Sequence, residues 1–337
     1  MLLGSYRPWG MLSWLLSRIT TRKWSLLGAL ATGDRSLATW RFLNQNDLLD
    51  HLELLQIEDL PSPFWGHESS NRITERRDEF GREGGDLASI SNYHILEPSE
   101  IINDIANRFI GNSGDSIIID ISSLPKRYFF PLIKVVLDKS SSTNILVCYT
   151  RPQNHDRQKP LAIDPQPWIN FPHFPQPYPE PQSKRLIVGL GYEPLGLPQL
   201  IKGEEFRGTD IRLMFPFPAN PEGYLRNWDF VRNLDSDVGP YLHQPIRVDA
   251  YDVSSIYDNI KSMTDNGNEY AVFAPYGTKT MSLAMCLYAI ANPDMSSVFY
   301  TQPKSYNPKY STGIKTLKGL PAIFAYFVRL NGNNIYS

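Results

Sequence analysis

The chain has 337 residues, of which 42% are hydrophobic and 20% charged, a composition typical of a folded protein with a sizeable core. Its 33 basic and 35 acidic side chains nearly cancel, which argues against extended binding to a nucleic-acid duplex. Two cysteines, Cys148 and Cys286, are too few for a disulfide framework and fit a reducing cytoplasm, where we expect the protein to act. The six histidines show no pair at ligand spacing, so we expect no metal site, and no motif indicates a cofactor.

The first 39 residues are predicted to be a leader outside the folded core. Four basic side chains precede the first acidic residue, Asp34: Arg7, Arg18, Arg22 and Lys23. Such basic, acid-free segments occur in targeting peptides, in amphipathic helices that lie on membranes and in flexible tails. The apolar run over residues 11–16 is far too short to cross a bilayer, so we expect no transmembrane segment.

Residues 40–111 are predicted to form a helical layer. Leucines recur at helical spacing over residues 46–57, and Asn46 belongs to a residue type that caps helix starts. The prolines at 61 and 63 end that helix. A charged helix is predicted over residues 72–80, and a third helix begins near Ser99 and ends at Gly111.

Strands and helices alternate after residue 111. Short apolar runs predict strands at residues 117–119, 145–149, 186–190, 211–215, 246–250, 270–274 and 297–300. Helical patterns are found at residues 128–137, 197–201, 224–234, 254–263 and 282–290. This alternation is typical of a mainly parallel sheet with helices on both faces, and therefore of a Rossmann-like α/β fold.

A proline-rich segment separates the α/β region into two parts. Eight prolines between residues 160 and 182 exclude a helix or a central strand, and the aromatic residues among them predict an extended crossover packed on the surface. The alternative is a motif for proline-binding domains. After the leader (1–39) and the helical layer (40–111), we therefore predict a first α/β unit (112–159), the crossover (160–183) and a second α/β part (184–337).

The two α/β parts contain a similar unit. Each has a strand, a basic loop, a helix and a strand, and each ends in Tyr-Thr-x-Pro. In this repeat Lys126 aligns with Lys279, and Tyr149 with Tyr300. A repeat of this kind predicts a duplicated or pseudo-symmetric sheet.

Each basic loop follows the carboxyl end of a strand and precedes a helix. Ligands bind at this edge of open parallel sheets, and the amino end of a helix favours anions. The first basic loop (residues 122–127) and the second basic loop (residues 277–282) therefore predict a site for a nucleotide-like or phosphorylated ligand. With neighbouring positions, the candidate ligand-binding residues are Ser122, Ser123, Lys126, Arg127, Tyr149, Arg151, Arg226, Gly277, Thr278, Lys279, Ser282, Tyr300 and Gln302. The alternative is that the lysines are solvated turn residues and the tyrosines close the core.

Catalytic residues are indicated only by acidic positions near strand ends. The candidates for a general acid or base are Asp120, Glu193 and Asp252, and Asp252 also fits as a helix cap. The sequence contains no Gly-x-Ser-x-Gly elbow and no Walker A loop. Gly189 and Gly191 lack the third glycine of a dinucleotide fingerprint.

The second basic loop, which reads Gly277-Thr278-Lys279-Thr280-Met281-Ser282, resembles the Gly-Thr-Lys loop of CARF domains. These are Rossmann-like sensors of cyclic oligoadenylates in prokaryotic antiviral defence. The resemblance covers this loop with its flanking strand and helix, and implies that Gly277, Thr278, Lys279 and Ser282 line a nucleotide pocket. The chain departs from the family pattern at residues 275 and 276, where Pro-Tyr replaces a polar residue and a glycine.

Three functions follow from these observations. The first is a non-catalytic sensor of a nucleotide or phosphorylated ligand, bound between the two basic loops, whose output lies in a partner protein. The second is an enzyme acting on a nucleotide or phosphoryl substrate. The third is an interaction subunit of a multiprotein complex, using the apolar N-terminal segment and the Phe/Pro-rich surface.

Overall fold

The computed structural model describes residues 6–20, 23–62, 64–156, 160–178, 181, 184–191, 196–201, 203–217, 228–229, 231–232 and 245–337. The chain divides into two compact units. Unit 1 comprises Met1–Ala162 together with Lys304–Tyr336, so it is built from both ends of the chain. Unit 2 comprises Ile163–Pro303, with the terminal Ser337.

The N-terminal stretch of unit 1 alternates strands with helices. Its strands are β1 (Trp9–Met11), β2 (Trp24–Leu30), β3 (Leu49–Glu58), β4 (Ile90–His94), β5 (Ser116–Asp120), β6 (Asn144–Thr150) and β7 (Pro152–His155). Its helices are α1 (Leu12–Leu16), α2 (Ala38–Gln45), α3 (Gly66–Arg82), α4 (Ser99–Asn112) and α5 (Lys126–Lys139). Short 3₁₀ helices are found at Asp34–Leu37 and Leu87–Ser89.

Unit 2 repeats this alternation. The strands that follow along the chain are β8 (Ala162–Pro165), β9 (Ile169–Asn170), β10 (Lys184–Gly189), β11 (Asp210–Phe217), β12 (Ile246–Asp249), β13 (Tyr270–Pro275) and β14 (Ser296–Tyr300). The helices are α6 (Leu197–Ile201), α7 (Val253–Met263) and α8 (Lys279–Ala291). Further 3₁₀ helices lie at Glu204–Phe206, Asp265–Gly267 and Pro293–Met295.

The C-terminal stretch consists of strands that the sequence patterns did not predict. They are β15 (Pro303–Tyr306), β16 (Ser311–Ile314), β17 (Thr316–Leu317), β18 (Leu320–Pro321), β19 (Ile323–Leu330) and β20 (Asn333–Asn334). Strand β19 pairs antiparallel with β6, and β16 pairs antiparallel with β7. The boundaries therefore differ from the predicted ones, because this stretch completes unit 1 and does not extend unit 2.

The central sheets of the two units have the same strand order. In unit 1 the parallel strands lie in the order β4-β3-β2-β5-β6, followed by the antiparallel β19 and β1. In unit 2 the parallel strands lie in the order β12-β11-β10-β13-β14, followed by the antiparallel β9. When the five parallel strands of each unit are numbered along the chain, both sheets have the order 3-2-1-4-5. The predicted Rossmann-like fold with an internal repeat is confirmed, and the repeat extends over whole sheets.

Burial on both faces explains why the central strands are continuous apolar runs. All five residues of β5 and all seven of β6 are buried, as expected for parallel strands covered by helices on both sides. Helix α5 contributes one side of this cover, since nine of its residues are buried, among them Phe129 and Ile133. The strand and helix predicted over residues 117–119 and 128–137 are therefore confirmed.

The prediction of a leader over residues 1–39 is wrong for its second half. Trp24–Leu30 is β2, the first strand of the central order, and all seven of its residues are buried. Near the amino end, Trp9 in β1 packs against the rings of Tyr326 and Phe324 in β19. The basic residues suggested a targeting segment, but the apolar residues between them belong to the core of unit 1.

The helix predicted over residues 46–57 is also wrong, because β3 occupies this region. Asn46 follows the end of α2, where its side chain donates to the carbonyl of Phe42 and caps nothing downstream. Asp47 has a φ of 53°, which turns the chain toward the strand. The predicted helical layer over 40–111 is thus partly sheet, since β3 and β4 pair in parallel.

The remaining sequence predictions match the described elements. Helices α3 and α4 cover the charged helix and the helix predicted near Ser99. In the crossover over residues 160–183, the described residues form only the short strands β8 and β9, while Phe171 and Phe174 are buried anchors. The predicted helix over residues 224–234 falls mostly outside the described residues.

Candidate functional site

The two predicted basic loops belong to different units, one in each. In unit 1 the first basic loop connects β5 to α5, and Lys126 is the first residue of that helix. In unit 2 the second basic loop connects β13 to α8, and Lys279 is the first residue of that helix. The predicted alignment of the two lysines is therefore confirmed, because each is the first residue of the helix that follows the fourth parallel strand of its unit.

The serines and the acidic residue of the first basic loop stabilise the protein's own backbone. Asp120 is 4% exposed, and its Oδ1 accepts a 2.7 Å hydrogen bond from the amide of Ser122. The Ser122 Oγ in turn accepts a 2.7 Å hydrogen bond from the amide of Thr150 at the end of β6. Ser123 is partly exposed. Asp120 and Ser122 therefore fix the strand ends of the sheet.

The two cations of the first basic loop differ in their surroundings. Lys126 keeps part of its side chain at the surface, and burial lowers the pKa of its ammonium to about 7. Arg127 donates to the carbonyl of Glu97 at 2.9 Å, and burial lowers its guanidinium pKa as well. Arg127 therefore ties α5 to the connection between β4 and α4.

A buried arginine that the sequence patterns did not indicate closes the switch point of unit 1. The switch point is the place where the strand order reverses, which in unit 1 lies between β2 and β5. Open sheets bind ligands in the crevice at this place. Arg35 lies just after β2, and its guanidinium donates a 3.2 Å hydrogen bond to the carbonyl of Thr150. Thr150 ends β6, on the far side of β5 from β2. Its other nitrogen donates to the hydroxyl of Tyr310 at 2.6 Å. The side chain of Arg35 thus crosses the crevice.

Aromatic rings and a carboxylate hold the charge of Arg35. Its guanidinium carbon lies 5.7 Å from the ring centre of Tyr149 and 5.8 Å from that of Tyr310. Burial acts to lower the pKa of Arg35, but Tyr310, Tyr149 and Asp120 outweigh it and raise that pKa. Tyr149, predicted to contact a ligand, is itself 7% exposed and packs on this cation. For Arg151, the described backbone bonds join its amide to Ala322 and its carbonyl to Lys315.

The hydroxyls of the second basic loop have local roles in unit 2. Thr278 caps α8, because its Oγ1 accepts a hydrogen bond from the amide of Met281. Ser282 is fully buried, and its Oγ donates to the carbonyl of Thr278 at 3.0 Å. Gly277 is packed closely, since a Cβ there would lie 3.2 Å from the carbonyl oxygen of Leu190. Lys279 is partly exposed at the start of the helix.

The other predicted positions at the carboxyl edge of unit 2 are mostly buried. Tyr300 is 7% exposed and packs against Phe171 and Tyr276. Gln302 is buried and its side-chain nitrogen donates to the carbonyl of Pro303. Tyr276 packs on Trp168, and burial raises its pKa well above the ordinary value. Tyr276 and Tyr300, with Trp168 and Phe171, form an aromatic layer at the ends of β13 and β14.

Of the two acidic candidates in unit 2, Asp252 lies within the described residues. Asp252 caps α7, with its Oδ1 accepting a 2.8 Å hydrogen bond from the amide of Ser255. This is the helix-cap alternative considered from the sequence. Glu193 and Arg226 lie outside the described residues.

A cavity of about 420 Å³ opens at the carboxyl end of β3 in unit 1. We call it the β3–α3 cavity, because the end of β3 and one side of α3 form most of its wall. The strand end contributes Gln56, Glu58 and Asp59, while α3 contributes Ser69, Ser70, Thr74 and Arg77. Ser305, from the returning C-terminal stretch, completes the wall. The volume lies in the range of small-molecule sites, which is about 300–1,000 Å³.

Opposite charges line the β3–α3 cavity at separate places. Arg77 contacts the amide oxygen of Gln56 at 3.5 Å, and the amide nitrogen of Gln56 donates to Glu58 at 3.2 Å. The Gln56 side chain therefore stands between the guanidinium and the carboxylate. Among the residues that the structure describes, no carboxylate lies within ion-pair distance of Arg77. The guanidinium thus has donors to offer to a ligand.

Asp59 is the partly buried carboxyl group of the cavity wall. Its Oδ2 accepts a 2.7 Å hydrogen bond from the amide of Tyr306, and the side chain of Ser305 bonds to it as well. Burial raises the pKa of Asp59 to about 6, and these two hydrogen bonds limit the rise. At neutral pH most of this carboxyl group is therefore ionised.

The sequence carried no clear signal for this cavity. Residues 46–57 were interpreted as a helix, which concealed that residues 56–59 follow the end of a strand. Arg77 falls in the charged helix predicted over residues 72–80, to which no site was assigned. The acidic pair after a strand would have been a usable signal, since acidic residues bind ribose hydroxyls at this place in Rossmann folds.

Two further properties of the described part of the chain limit its chemistry and its placement. No group of three or more His, Cys, Asp or Glu side chains lies close enough there to hold a metal ion. Within the same residues, every helix is too short or too polar to cross a membrane. Cys148 and Cys286 are both buried, and neither is part of a disulfide bond.

The fold and its carboxyl edges define the chain as a tandem Rossmann-like α/β protein. The sequence matches no protein-family model, and no curated protein matches it. A universal stress protein of Archaeoglobus fulgidus DSM 4304 is similar at 12% identity, covering 83% of this chain and 96% of that chain, with a TM-score of 0.26.

Two proteins of Pseudomonas aeruginosa give comparable values. One, from strain UCBPP-PA14, is assigned as a universal stress protein and has 13% identity with a TM-score of 0.25. The other, from strain PAO1, is functionally unknown and has 14% identity with a TM-score of 0.25. Each alignment covers 85% of this chain and 94% of that chain. At such identities and TM-scores we draw nothing about function from these similarities.

Proposed function

We propose that this protein binds a nucleotide-like or phosphorylated small molecule without converting it, and that the β3–α3 cavity is the binding site. The observation that carries this proposal is the cavity itself, which has a volume of about 420 Å³ and lies at the end of the second strand of a 3-2-1-4-5 sheet. In Rossmann folds an acidic residue at this place binds ribose hydroxyls. Glu58 and Asp59 are suited to that role, and Arg77 supplies a cation for a phosphate.

The proposal differs in position from the site expected from the sequence. That site lay between the two basic loops, whose hydroxyls cap helices or bond to backbone groups within each unit. The wall of the β3–α3 cavity, by contrast, contains several polar side chains that can turn toward a ligand. Ser69, Ser70 and Thr74 add hydroxyl groups on one helix, a lining suited to a hydroxyl-rich molecule.

We further propose that the protein acts as a sensor of its ligand. The resemblance of the second basic loop to CARF domains adds that the ligand is a nucleotide signal in a prokaryotic defence system and that a partner protein carries the output. Lys279 at the first position of α8 supports a secondary role for this loop in anion binding. Coexpression with the products of neighbouring genes, with and without added nucleotide, tests whether the ligand controls a partner.

Isothermal titration calorimetry tests the binding proposal directly. The probes are adenosine, AMP, ATP and ribose 5-phosphate, added to the full chain. Ser69→Phe fills the cavity and is expected to weaken the binding of the best probe at least tenfold. Asn71→Phe, on the same helix but outside the cavity wall, is the matched control and leaves binding unchanged. Equal binding by both variants contradicts the proposal.

A second candidate function is turnover of the bound molecule. Asp59 favours it, because a carboxyl group with a raised pKa in a cavity is suited to general acid or base chemistry. The enzyme considered from the sequence used Asp120, Glu193 or Asp252, of which Asp120 and Asp252 are engaged in local hydrogen bonds. Chromatography of AMP or ATP after incubation distinguishes the two functions, since product that the Asp59→Asn variant fails to form indicates an enzyme.

A further inference from the structure

Two places on the carboxyl edge of the unit 1 sheet differ in whether a ligand can enter, and this difference limits the class of ligand. The first place is the switch point between β2 and β5, where a dinucleotide rests its diphosphate in open α/β sheets. Arg35 crosses this crevice and is held there by Thr150 and Tyr310. Asp34, next to it, accepts a 2.6 Å hydrogen bond from the amide of Gly313. The chain's own residues therefore occupy the diphosphate position.

The second place is the β3–α3 cavity, which is open. Its wall holds two carboxylates, Glu58 and Asp59, and among its described residues Arg77 is the one cation. On the same helix Glu68 is already paired, since it forms ion pairs with Arg72 and Lys309. A ligand in this cavity thus meets one positive and two negative groups.

This charge balance limits the number of phosphates. A single phosphate group can take the donors of Arg77, because a guanidinium binds two phosphate oxygens in a fork. A second or third phosphate would add negative charge where the described residues of the wall supply no further cation, and Glu58 and Asp59 would repel it. The carboxylates instead accept hydrogen bonds from hydroxyl groups, as a ribose provides.

We infer that the β3–α3 cavity takes a ribose that carries one phosphate, as in a nucleoside monophosphate, with the phosphate at Arg77 and the ribose hydroxyls at Glu58. The inference rests on the proposed function and specifies its ligand. Gln56 stands between the two groups and keeps them at separate positions, so one ligand can contact both ends at once. Dinucleotides and nucleoside triphosphates are excluded by the closed switch point and by the carboxylates.

Calorimetry with four probes tests this assignment on the full chain: AMP, adenosine, ATP and NAD⁺. We expect AMP to bind at least tenfold more tightly than each of the other three. Arg77→Gln is expected to reduce AMP affinity to the level of adenosine and to leave adenosine affinity unchanged. Glu58→Gln is expected to weaken AMP and adenosine by the same factor, because both carry the ribose.

Arg72→Gln is the matched control for Arg77. Arg72 lies on the same helix, pairs with Glu68 and is outside the cavity wall, so this variant keeps the wild-type preference for AMP. Equal binding of AMP and adenosine by the wild type overturns the inference but leaves the proposed function intact. Equal losses for Arg77→Gln and Arg72→Gln also overturn it. If no probe binds and Ser69→Phe changes nothing, the proposed function itself fails.

Discussion

The amide nitrogen of Tyr306 donates a 2.7 Å hydrogen bond to the Oδ2 of Asp59, although 247 positions separate the two residues. Beside this bond, the amide of Leu60 donates to the carbonyl of Lys304 at 3.1 Å. The exit of β3 is therefore fastened to the segment where the chain returns from unit 2 to unit 1. Ser305, between the fastened residues, lines the β3–α3 cavity. The cavity thus depends on the chain closing back on itself.

Replacing Asp59 by Asn is expected to change how stability depends on pH. The folded-state pKa is about 6, above the ordinary value of 3.8, so the folded protein holds this proton more tightly than the unfolded chain does. Stability from this group is therefore present at low pH and is lost as pH rises from about 4 to about 6. At 1.36 kcal/mol for each pKa unit, the loss is at most about 3 kcal/mol.

Urea denaturation at pH 4.5 and pH 7.5 measures this effect. The asparagine side chain does not titrate, so the Asp59→Asn variant does not lose this stability as the pH rises. The free energy of unfolding of the variant minus that of the wild type is therefore larger at pH 7.5 than at pH 4.5. Its side-chain oxygen can still accept the hydrogen bond from Tyr306. Glu58→Gln, at the exposed neighbouring position, is the control and keeps the wild-type pH dependence. Identical pH dependence in the wild type and the Asp59 variant would show that Asp59 does not titrate as described.

Replacing Arg35 by Met is expected to destabilise unit 1 strongly. The change leaves the carbonyl of Thr150 and the hydroxyl of Tyr310 without their donor, and removes the cation near Asp120. Breaking one side of a buried charged network costs about 3–5 kcal/mol. The midpoint and slope of chemical denaturation report this loss.

Arg82→Met provides the comparison for Arg35. Arg82 is exposed on α3, where its Nε donates to the carbonyl of Asp78 at 3.4 Å, so we expect a change below about 0.5 kcal/mol. Comparable losses in the two variants would mean that Arg35 does not hold the switch point together.

The fold class could be predicted from the sequence because the central strands are buried on both faces. Runs such as Ile117–Ile119 and Ala271–Phe273 are apolar without alternation, which is typical of covered parallel strands. Strand β3 was missed, since its leucines also fit a helical spacing and only the neighbouring strands decide the outcome. The returning strand β19 was missed because no local pattern shows that residues 323–330 pair with residues from the first half of the chain.

The candidate site could be predicted less well than the fold. The sequence placed each lysine in a loop between a strand and a helix, because a strand, loop and helix order is a local property. The helices α5 and α8 begin earlier than predicted, so that Lys126 and Lys279 are their first residues. It could not show that Ser122 bonds to Thr150 or that Arg35 reaches Tyr310, since these contacts join distant segments. The β3–α3 cavity needed the same long-range information, because Ser305 completes its wall.

Replacing Gly191 by Ala is expected to destabilise unit 2. A Cβ at this position would overlap the carbonyl oxygen of Tyr276, so the ends of β10 and β13 would have to move apart. Forcing extra atoms into such packing costs about 1–3 kcal/mol. Gly33→Ala is the control in unit 1, because among described residues no atom beyond its chain neighbours lies within 4 Å of a Cβ there. Its φ of −88° also suits alanine, so its stability should stay within about 1 kcal/mol of the wild type.

Thermal or urea unfolding of the two glycine variants gives the comparison. A Gly191→Ala protein as stable as Gly33→Ala would show that the two strand ends are not in direct backbone contact.

Replacing Leu27 by Ala tests whether residues 24–30 belong to the core or to a leader. Leu27 is fully buried in β2, between β3 and β5, and truncating such a leucine costs about 2–5 kcal/mol. Leu87→Ala is the matched control, since Leu87 is 45% exposed and its truncation should cost less than about 0.5 kcal/mol. Urea denaturation followed by tryptophan fluorescence measures both, because Trp24 lies in the same strand. If Leu27→Ala unfolds at the same urea concentration as Leu87→Ala, β2 is not the first strand of the sheet and the leader interpretation returns.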